Sequence, residues 1–105
     1  MTRVEWDHKG DEFIIEAEGH SGYAIPGKDI VCAGISTLLQ ALIIHTPKHD
    51  ILHKIVQDGY ISIHVAGHDA CTCSEMVVTG LKAIESQYGD NLKVIKGDLL
   101  RKPKG

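Results

Sequence analysis

Asp58 and Gly59 form a dipeptide between two segments rich in apolar residues, 51–56 and 60–65, and this arrangement restricts the possible folds more than any other part of the sequence. An Asp-Gly pair tolerates the positive φ angles of a type I′ turn, the tight connection typical of two antiparallel strands. The apolar residues of 60–65 recur at every second position, so they fall on one face of a strand. The sequence therefore predicts a β-hairpin made of residues 51–56 and 60–65.

A second hairpin is predicted near the start of the chain. Val4 and Trp6 alternate with polar neighbours, and the apolar residues of 13–17 do the same. The turn between the two strands is expected at residues 8–11. Runs that alternate in this way and flank a polar turn are typical of paired strands.

Residues 30–45 form an almost wholly apolar run whose large side chains recur at helical intervals, which predicts a buried helix. Asp29 stands where the N-terminal cap of this helix belongs, and Pro47 ends the helix because proline lacks an amide donor. The helix has little polar surface, so it needs more cover than one face of a sheet supplies. A homodimer is the expected source of that cover.

A second, amphipathic helix is predicted over residues 71–88, where the apolar side chains fall on one stripe. Asp69 is the predicted N-terminal cap of this helix. Gly89 is the predicted left-handed residue at its carboxyl end. The apolar residues Leu92 and Val94 predict a short last strand.

The predicted elements follow the order β-β-α-β-β-α-β, in which each of two hairpins is followed by a helix. This order indicates an α+β fold with a mostly antiparallel sheet and two helices packed on one face. The chain has 105 residues, the length of one domain. We therefore expect residues 1–105 to form a single domain, with a frayed basic tail at 101–105.

Charge and cysteine content exclude several classes of protein. Asp and Glu number 14 against 11 Lys and Arg, and the net charge of −3 argues against nucleic acid as a direct partner. No apolar run reaches the roughly 18 residues of a membrane span, and the first residues lack the layout of a secretory signal, so we expect a cytoplasmic protein that binds no membrane. The 3 cysteines are an odd number and are expected to be free thiols.

His20 and Cys32 are the candidates for catalysis. His20 follows the second predicted strand, Cys32 lies in the first turn of the first predicted helix, and a glycine-containing loop, 21–28, joins them. The free amides and the dipole of a helix N-terminus stabilise a thiolate. We therefore expect Cys32 to act as nucleophile, His20 to transfer protons, and the amides of the first helical turn to hold the oxyanion. The competing interpretation is a cysteine that only packs.

Asp29 and Ser36 each have two possible roles. As a cap, Asp29 accepts an amide hydrogen bond and places a negative charge near Cys32, whereas as a partner of His20 it orients the imidazole. These two roles predict opposite effects of Asp29→Asn on thiolate formation. Ser36 lies one helical turn after Cys32, where its hydroxyl can bind a peptide substrate or the helix carbonyl four residues earlier.

The stretch GHSGYAIPGKDIVCAGIS, residues 19–36, resembles the signature of the ribosomal-processing cysteine proteases, and the element order of the whole chain is similar to theirs. The resemblance implies a cytoplasmic, homodimeric cysteine endopeptidase. Its implied substrate is a ribosomal protein precursor, a bacterial large-subunit protein from which it removes an N-terminal extension. The resemblance places the catalytic pair on His20 and Cys32 and the aspartate of the family on Asp29.

Two further positions, Gly19 and Ser36, are carried over from the same resemblance, and Gly22 lies in the loop between the catalytic pair. Gly19, Gly22 and Ser36 are expected to lie at the bound substrate. The loop 21–28 corresponds to the mobile loop that covers the site in this family. Ser21 departs from the family pattern, because alanine is frequent at its position.

Two other functions remain open on the sequence. One is a non-catalytic dimeric module that binds a ribosomal or other protein partner, with Cys32 only packing. The other is a zinc site, whose ligands would be His64, His68, Cys71 and Cys73. Their spacing differs from that of common zinc motifs, so we expect no metal and no cofactor, and we expect Cys71 to be solvated or partly buried.

Overall fold

The computed structural model describes residues 1–25 and 27–101. Of the predicted tail at 101–105, all but Arg101 lies outside the described residues. The strands are β1 (Thr2–Lys9), β2 (Glu12–Glu18), β3 (Ile51–Gln57), β4 (Tyr60–Ala66) and β5 (Leu92–Lys96). The helices are α1 (Ile30–His45) and α2 (His68–Gln87), and a short 3₁₀ helix at Lys48–Asp50 precedes β3.

The five strands form one sheet in the order β3-β4-β2-β1-β5. β1 with β2, β2 with β4, and β3 with β4 are antiparallel, whereas β5 runs parallel to β1. Ile15 in β2 is the partner of Trp6 in β1 and of Ile63 in β4, so these apolar residues lie side by side across the sheet. The predicted α+β class, the element order and the mostly antiparallel sheet are confirmed.

One apolar cluster lies between the sheet and the two helices. The sheet contributes alternate residues of β1, β2 and β4, and each helix contributes one buried stripe. The largest of the fully buried side chains are Phe13, Ile15, Leu39, Ile63, Leu81 and Leu92. This cluster holds the start of α1 in place against the central strands, where β2 ends.

α1 has the predicted bounds and both predicted end signals. Asp29 has extended backbone geometry, φ −86° and ψ 97°, and its side chain accepts a hydrogen bond from the Cys32 amide. Thr46, directly before Pro47, is extended at ψ 127° because proline disfavours helical geometry in the residue that precedes it. Both ends of α1 could therefore be predicted from local residue chemistry.

α2 differs from the prediction at both ends. It begins at His68 after Gly67, whose φ is +109°, and Asp69 lies in the first turn without acting as the cap. The Gly67 amide donates to the Asp11 carbonyl at 2.8 Å, so a contact with the first hairpin sets where the chain turns. At the other end Tyr88 is the cap, with φ −128°, and Gly89 is not left-handed.

Candidate active site

Gly19 sets the direction in which the chain leaves β2. Its φ is +92°, its amide donates to the Gly59 carbonyl at 2.8 Å, and its carbonyl accepts from the Thr2 hydroxyl at 3.3 Å. A Cβ on residue 19 would lie 2.7 Å from the backbone oxygen of Met1, which is closer than packed atoms approach. Glycine is therefore required here for steric reasons, and its conformation determines where His20 begins.

The His20 side chain lies against the turn of the β3–β4 hairpin. Its Nε2 atom is 4.0 Å from Asp58 Oδ1, and a Cβ on Gly59 would lie 3.2 Å from the same nitrogen. The imidazole is 66% exposed, so it has room to rotate. The absence of a side chain on Gly59 thus leaves space for the ring as well as allowing the turn.

Cys32 is the third residue of α1 and is half-buried. Its Sγ accepts a hydrogen bond from the Ser21 amide at 3.2 Å. Two neighbouring hollows of about 210 and 680 Å³ are both lined by Cys32 and His20. Within 1–25 and 27–101, no hydrogen bond joins the imidazole to the sulfur, but both groups open into the same space.

Asp29 connects the start of α1 to the loop. Oδ1 accepts from the Cys32 amide at 2.8 Å, and Oδ2 accepts from the Ser21 hydroxyl and from the amides of Tyr23 (3.2 Å) and Ala24 (3.4 Å). These contacts are those of the cap alternative. In the described part of the chain, no hydrogen bond or ion pair links this carboxylate to His20, as the alternative role requires.

The same hydrogen bonds determine the ionisation of Asp29. Burial would raise the pKa of the carboxyl group, but the bonds from the Ser21 hydroxyl and from backbone amides outweigh it and lower the pKa from 3.8 to about 2. The carboxylate is therefore charged at neutral pH, and its charge is shared among the loop and helix amides.

Ser21, which the sequence presented only as a departure from the family pattern, is 1% exposed and lies at the centre of the loop contacts. Its carbonyl accepts a hydrogen bond from Asn91 Nδ2 at 2.9 Å. Tyr23 packs edge-to-face on Tyr88, with ring centroids 5.3 Å apart. Sequence reasoning missed Asn91 because no local pattern connects it to a loop 70 residues earlier.

The remaining predicted site residues line the same space. Gly19 lines the smaller hollow, Gly22 lines the larger one, and Ser36 lines both. The Ser36 hydroxyl accepts a hydrogen bond from Gln40 Nε2 at 2.8 Å. Ser36 is half-buried, so its hydroxyl is placed between Gln40 and the hollow that contains Cys32.

The residues of the alternative zinc site have other partners. His64 Nε2 lies 2.9 Å from Glu12 Oε1, and Cys71 Sγ donates to the Asp11 carbonyl at 3.2 Å. Cys71 is 5% exposed, so the expectation of a solvated or partly buried thiol is wrong, because the first hairpin covers the start of α2. Among the described residues, no group of three or more His, Cys, Asp or Glu side chains is placed to hold a metal ion.

Several solved structures are similar to this chain over most of its length. The protein described as the essential ribosomal processing protease Prp from S. aureus, in complex with a covalently linked product peptide, has a TM-score of 0.76 and 23% identity over 92% of this chain and 100% of that chain. Its complex with a substrate peptide has a TM-score of 0.68, 22% identity and the same coverage. SMU.848 from Streptococcus mutans has a TM-score of 0.68 and 22% identity, over 91% of this chain and 93% of that chain. At these identities the likeness shows the fold.

A thiol and an imidazole that open into one hollow are the groups that a cysteine hydrolase requires. No curated protein matches the chain. The model of the family described as cysteine protease Prp matches residues 1–93, so the chain belongs to this family. The predicted family and the predicted cysteine endopeptidase activity are thereby confirmed. Within the described residues, no helix is long and apolar enough to cross a membrane.

Proposed function

We propose that this endopeptidase removes the N-terminal extension from the precursor of a bacterial large-subunit ribosomal protein, with Cys32 as nucleophile and His20 as proton-transfer group. Membership of the Prp family supports the reaction class. The structural neighbour from S. aureus is described as a ribosomal processing protease, which supports the substrate class. The observation that carries the proposal is the position of Cys32, half-buried at the start of α1 in a hollow that His20 also lines.

The proposed reaction proceeds through an acyl-enzyme. The Cys32 thiolate attacks the scissile carbonyl carbon, and the resulting tetrahedral intermediate collapses as its C–N bond breaks and the His20 imidazolium gives a proton to the leaving amine. Water, deprotonated by the neutral imidazole, then attacks the thioester and releases Cys32. For the first step His20 rotates from Asp58 toward Cys32, which its exposure allows.

The expected oxyanion donors need one adjustment. The Cys32 amide already donates to Asp29 Oδ1, and the Ala33 amide donates to the Asp29 carbonyl at 3.0 Å. The amides of Ile30 and Val31 precede these in the first turn of α1, where amides have no acceptor within the helix. Ile30 lines the larger hollow, whereas Val31 lines neither hollow and is 2% exposed, so we assign the oxyanion to the Ile30 amide in preference to the Cys32 amide.

The loop 21–28 is proposed to cover the bound peptide, with Gly19, Gly22 and Ser36 beside it. Gly22 and Gly27 have φ values of +71° and +87°, and a Cβ on either would meet nothing within 4 Å, so motion at these positions is not blocked by packing. Tyr23 and Ile25 are 45% and 67% exposed on this loop, and an apolar peptide segment would cover them. The Tyr23 and Ala24 amides donate to Asp29, so such a movement would break these two hydrogen bonds.

A cytoplasmic homodimer of single-domain chains is the proposed assembly. Ile30 and Ile44 of α1 are 58% and 82% exposed, and Leu52 and Val56 of the edge strand β3 are 52% and 54% exposed. Contact between two copies through these side chains would remove apolar surface from water. Size-exclusion chromatography with light scattering tests this, since Ile44→Glu should convert a dimer into a monomer.

The proposed activity is tested with a peptide that spans the extension and the first residues of the mature ribosomal protein. Mass spectrometry before and after incubation should find one cleavage by the wild-type protein. Cys32→Ser should bind the peptide without cutting it, and His20→Ala should slow cleavage by about 10² to 10⁴-fold. Cys73→Ser is the matched control, because Cys73 is also a half-buried free thiol but lies on α2.

The outcomes separate the competing functions. Binding without cleavage by the wild-type protein would identify a non-catalytic module. Cleavage that survives Cys32→Ser would rule out Cys32 as the nucleophile.

A further inference from the structure

Ser21 has a partner for each of its polar groups. Its amide donates to Cys32 Sγ, its hydroxyl donates to Asp29, and its carbonyl accepts from Asn91 Nδ2. Because the residue is 1% exposed, water cannot replace these partners without a local rearrangement. The position of the Ser21 amide at the sulfur therefore depends on the groups that hold the rest of the residue.

Asn91 belongs to a rigid part of the molecule. It directly precedes β5, whose first residue, Leu92, is fully buried, and its own amide donates to the Tyr88 carbonyl at 2.8 Å. The Thr2 amide in turn donates to the Asn91 carbonyl at 2.9 Å, which ties the residue to β1. The Asn91 side chain thus extends from a fixed backbone to the loop that carries Ser21.

The loop side of this contact is held by one carboxylate, because Asp29 accepts from the Ser21 hydroxyl and from the amides of Tyr23 and Ala24. Gly22 follows Ser21 with φ +71° and open space around it, so the backbone at this one position can change direction without a steric clash. Without the Asn91 amide, the Ser21 carbonyl would lose its partner and only the hydroxyl bond to Asp29 would anchor the side chain, so a shift of the residue away from Cys32 would meet less resistance. His20, directly before Ser21, would shift with it.

We propose that Asn91 is a positioning residue for the nucleophile: it holds the Ser21 carbonyl and so keeps the Ser21 amide directed at Cys32 Sγ. The proposal rests on the proposed role of Cys32. Asn91 itself contacts neither the sulfur nor the hollows, and it acts through Ser21.

The test measures the rate at which iodoacetamide modifies Cys32, as a function of pH, in the wild-type protein and in Asn91→Ala. Loss of the hydrogen bond should slow modification at neutral pH by about fivefold and move the profile to higher pH, because the amide that stabilises the thiolate is displaced. In peptide cleavage kcat should fall by a similar factor, with KM within about twofold. The titratable groups that face the hollows beside Cys32 are unchanged by this substitution; they are His20, Lys28, Asp29, Asp58 and Tyr60.

Asn91→Asp is the second variant, because it keeps the shape of the side chain but presents an acceptor to the Ser21 carbonyl. It should slow modification at neutral pH at least as much as alanine does. Asp90→Ala, at the exposed neighbouring position, is the matched control and should leave both rates unchanged. Thermal unfolding of each variant separates a local effect from loss of the fold.

Wild-type rates of Cys32 modification and of cleavage in both Asn91 variants would overturn the proposal while leaving the proposed function intact. If instead the wild-type protein cuts no precursor peptide but Cys32 modification still depends on Asn91, the proposed function fails and the positioning role stands. A slower rate in Asp90→Ala equal to that in Asn91→Ala would also overturn it, because the effect would then belong to the whole turn.

Discussion

Each helix of this protein carries a cysteine near its first turn, and the two thiols have opposite surroundings. Cys32 in α1 is half-buried, accepts a hydrogen bond from the Ser21 amide and lines two hollows. Cys71 in α2 is 5% exposed and donates its proton to the Asp11 carbonyl. The helix N-terminus is common to both, so a helix start alone does not determine the surroundings of a thiol. Access and the hydrogen bond received by the sulfur distinguish them.

The largest expected effect is a difference in thiol reactivity. Burial, followed by the charges of Asp11, Glu75 and Glu12, raises the pKa of the Cys71 thiol. Iodoacetamide at neutral pH should therefore modify Cys32 faster than Cys71 by on the order of 100-fold, measured by peptide mapping over time. In denaturant the two rates should converge. Equal rates in the folded protein would remove the distinction between the two helix starts.

The second prediction compares two glycines, Gly19 at the end of β2 and Gly67 directly before α2. Gly19 and Gly67 both have positive φ, but a Cβ on Gly19 would lie 2.7 Å from a backbone oxygen, whereas on Gly67 its nearest neighbour would be a side-chain atom at 3.7 Å. Gly19→Ala should destabilise the protein by about 3 kcal/mol and Gly67→Ala by about 1 kcal/mol. Urea unfolding measures both. Equal losses would mean that the close approach to Met1 contributes nothing.

The third prediction tests the charge at each helix start. Asparagine caps a helix as well as aspartate does, so Asp29→Asn should keep α1 but remove the negative charge beside Cys32. Modification of Cys32 at neutral pH should accelerate by about threefold. Peptide cleavage should fall by about tenfold, because an amide group cannot accept from Ser21, Tyr23 and Ala24 together.

Asp69→Asn is the control for the third prediction, since Asp69 lies in the first turn of α2 and caps nothing. Asp69→Asn should change neither the rate of Cys32 modification nor the rate of peptide cleavage. Slower modification of Cys32 in Asp29→Asn would favour the alternative in which Asp29 orients His20.

The smallest expected effect is a pH dependence of the hydrogen bonds that join the loop to Asp29. The pKa of Asp29 is lowered to about 2, so its contribution to stability is present above its ordinary value of 3.8 and is lost as the pH falls from there toward 2. The amide NMR signals of Tyr23 and Ala24 should titrate with a midpoint near pH 2, and in Asp29→Asn this titration should disappear. A midpoint near 4 would contradict the hydrogen bonds assigned to this carboxylate.

Most of the fold could be predicted, because its signals are local. Asp29 and Pro47 mark the ends of α1 through capping and through a missing amide, and Asp58-Gly59 marks the second turn. The start of α2 could not be located in this way. Gly67 replaces the expected Asp69 because its amide meets Asp11 of the first hairpin, a contact between residues far apart in the chain.

For the site, the residue pattern alone indicates a thiol at a capped helix start, a histidine at a strand end and a flexible loop between them. Those features follow from side-chain chemistry within 17 residues of sequence, His20 to Ser36. Four features are visible only in the tertiary structure. Asp29 accepts hydrogen bonds from Cys32 and the loop, and Asn91 donates to Ser21. His20 lies beside Asp58, and Cys71 is buried. Each of these features depends on contacts between residues that are far apart in the sequence and that meet only once the core has formed. A local sequence pattern cannot predict such contacts, because it describes only neighbouring residues.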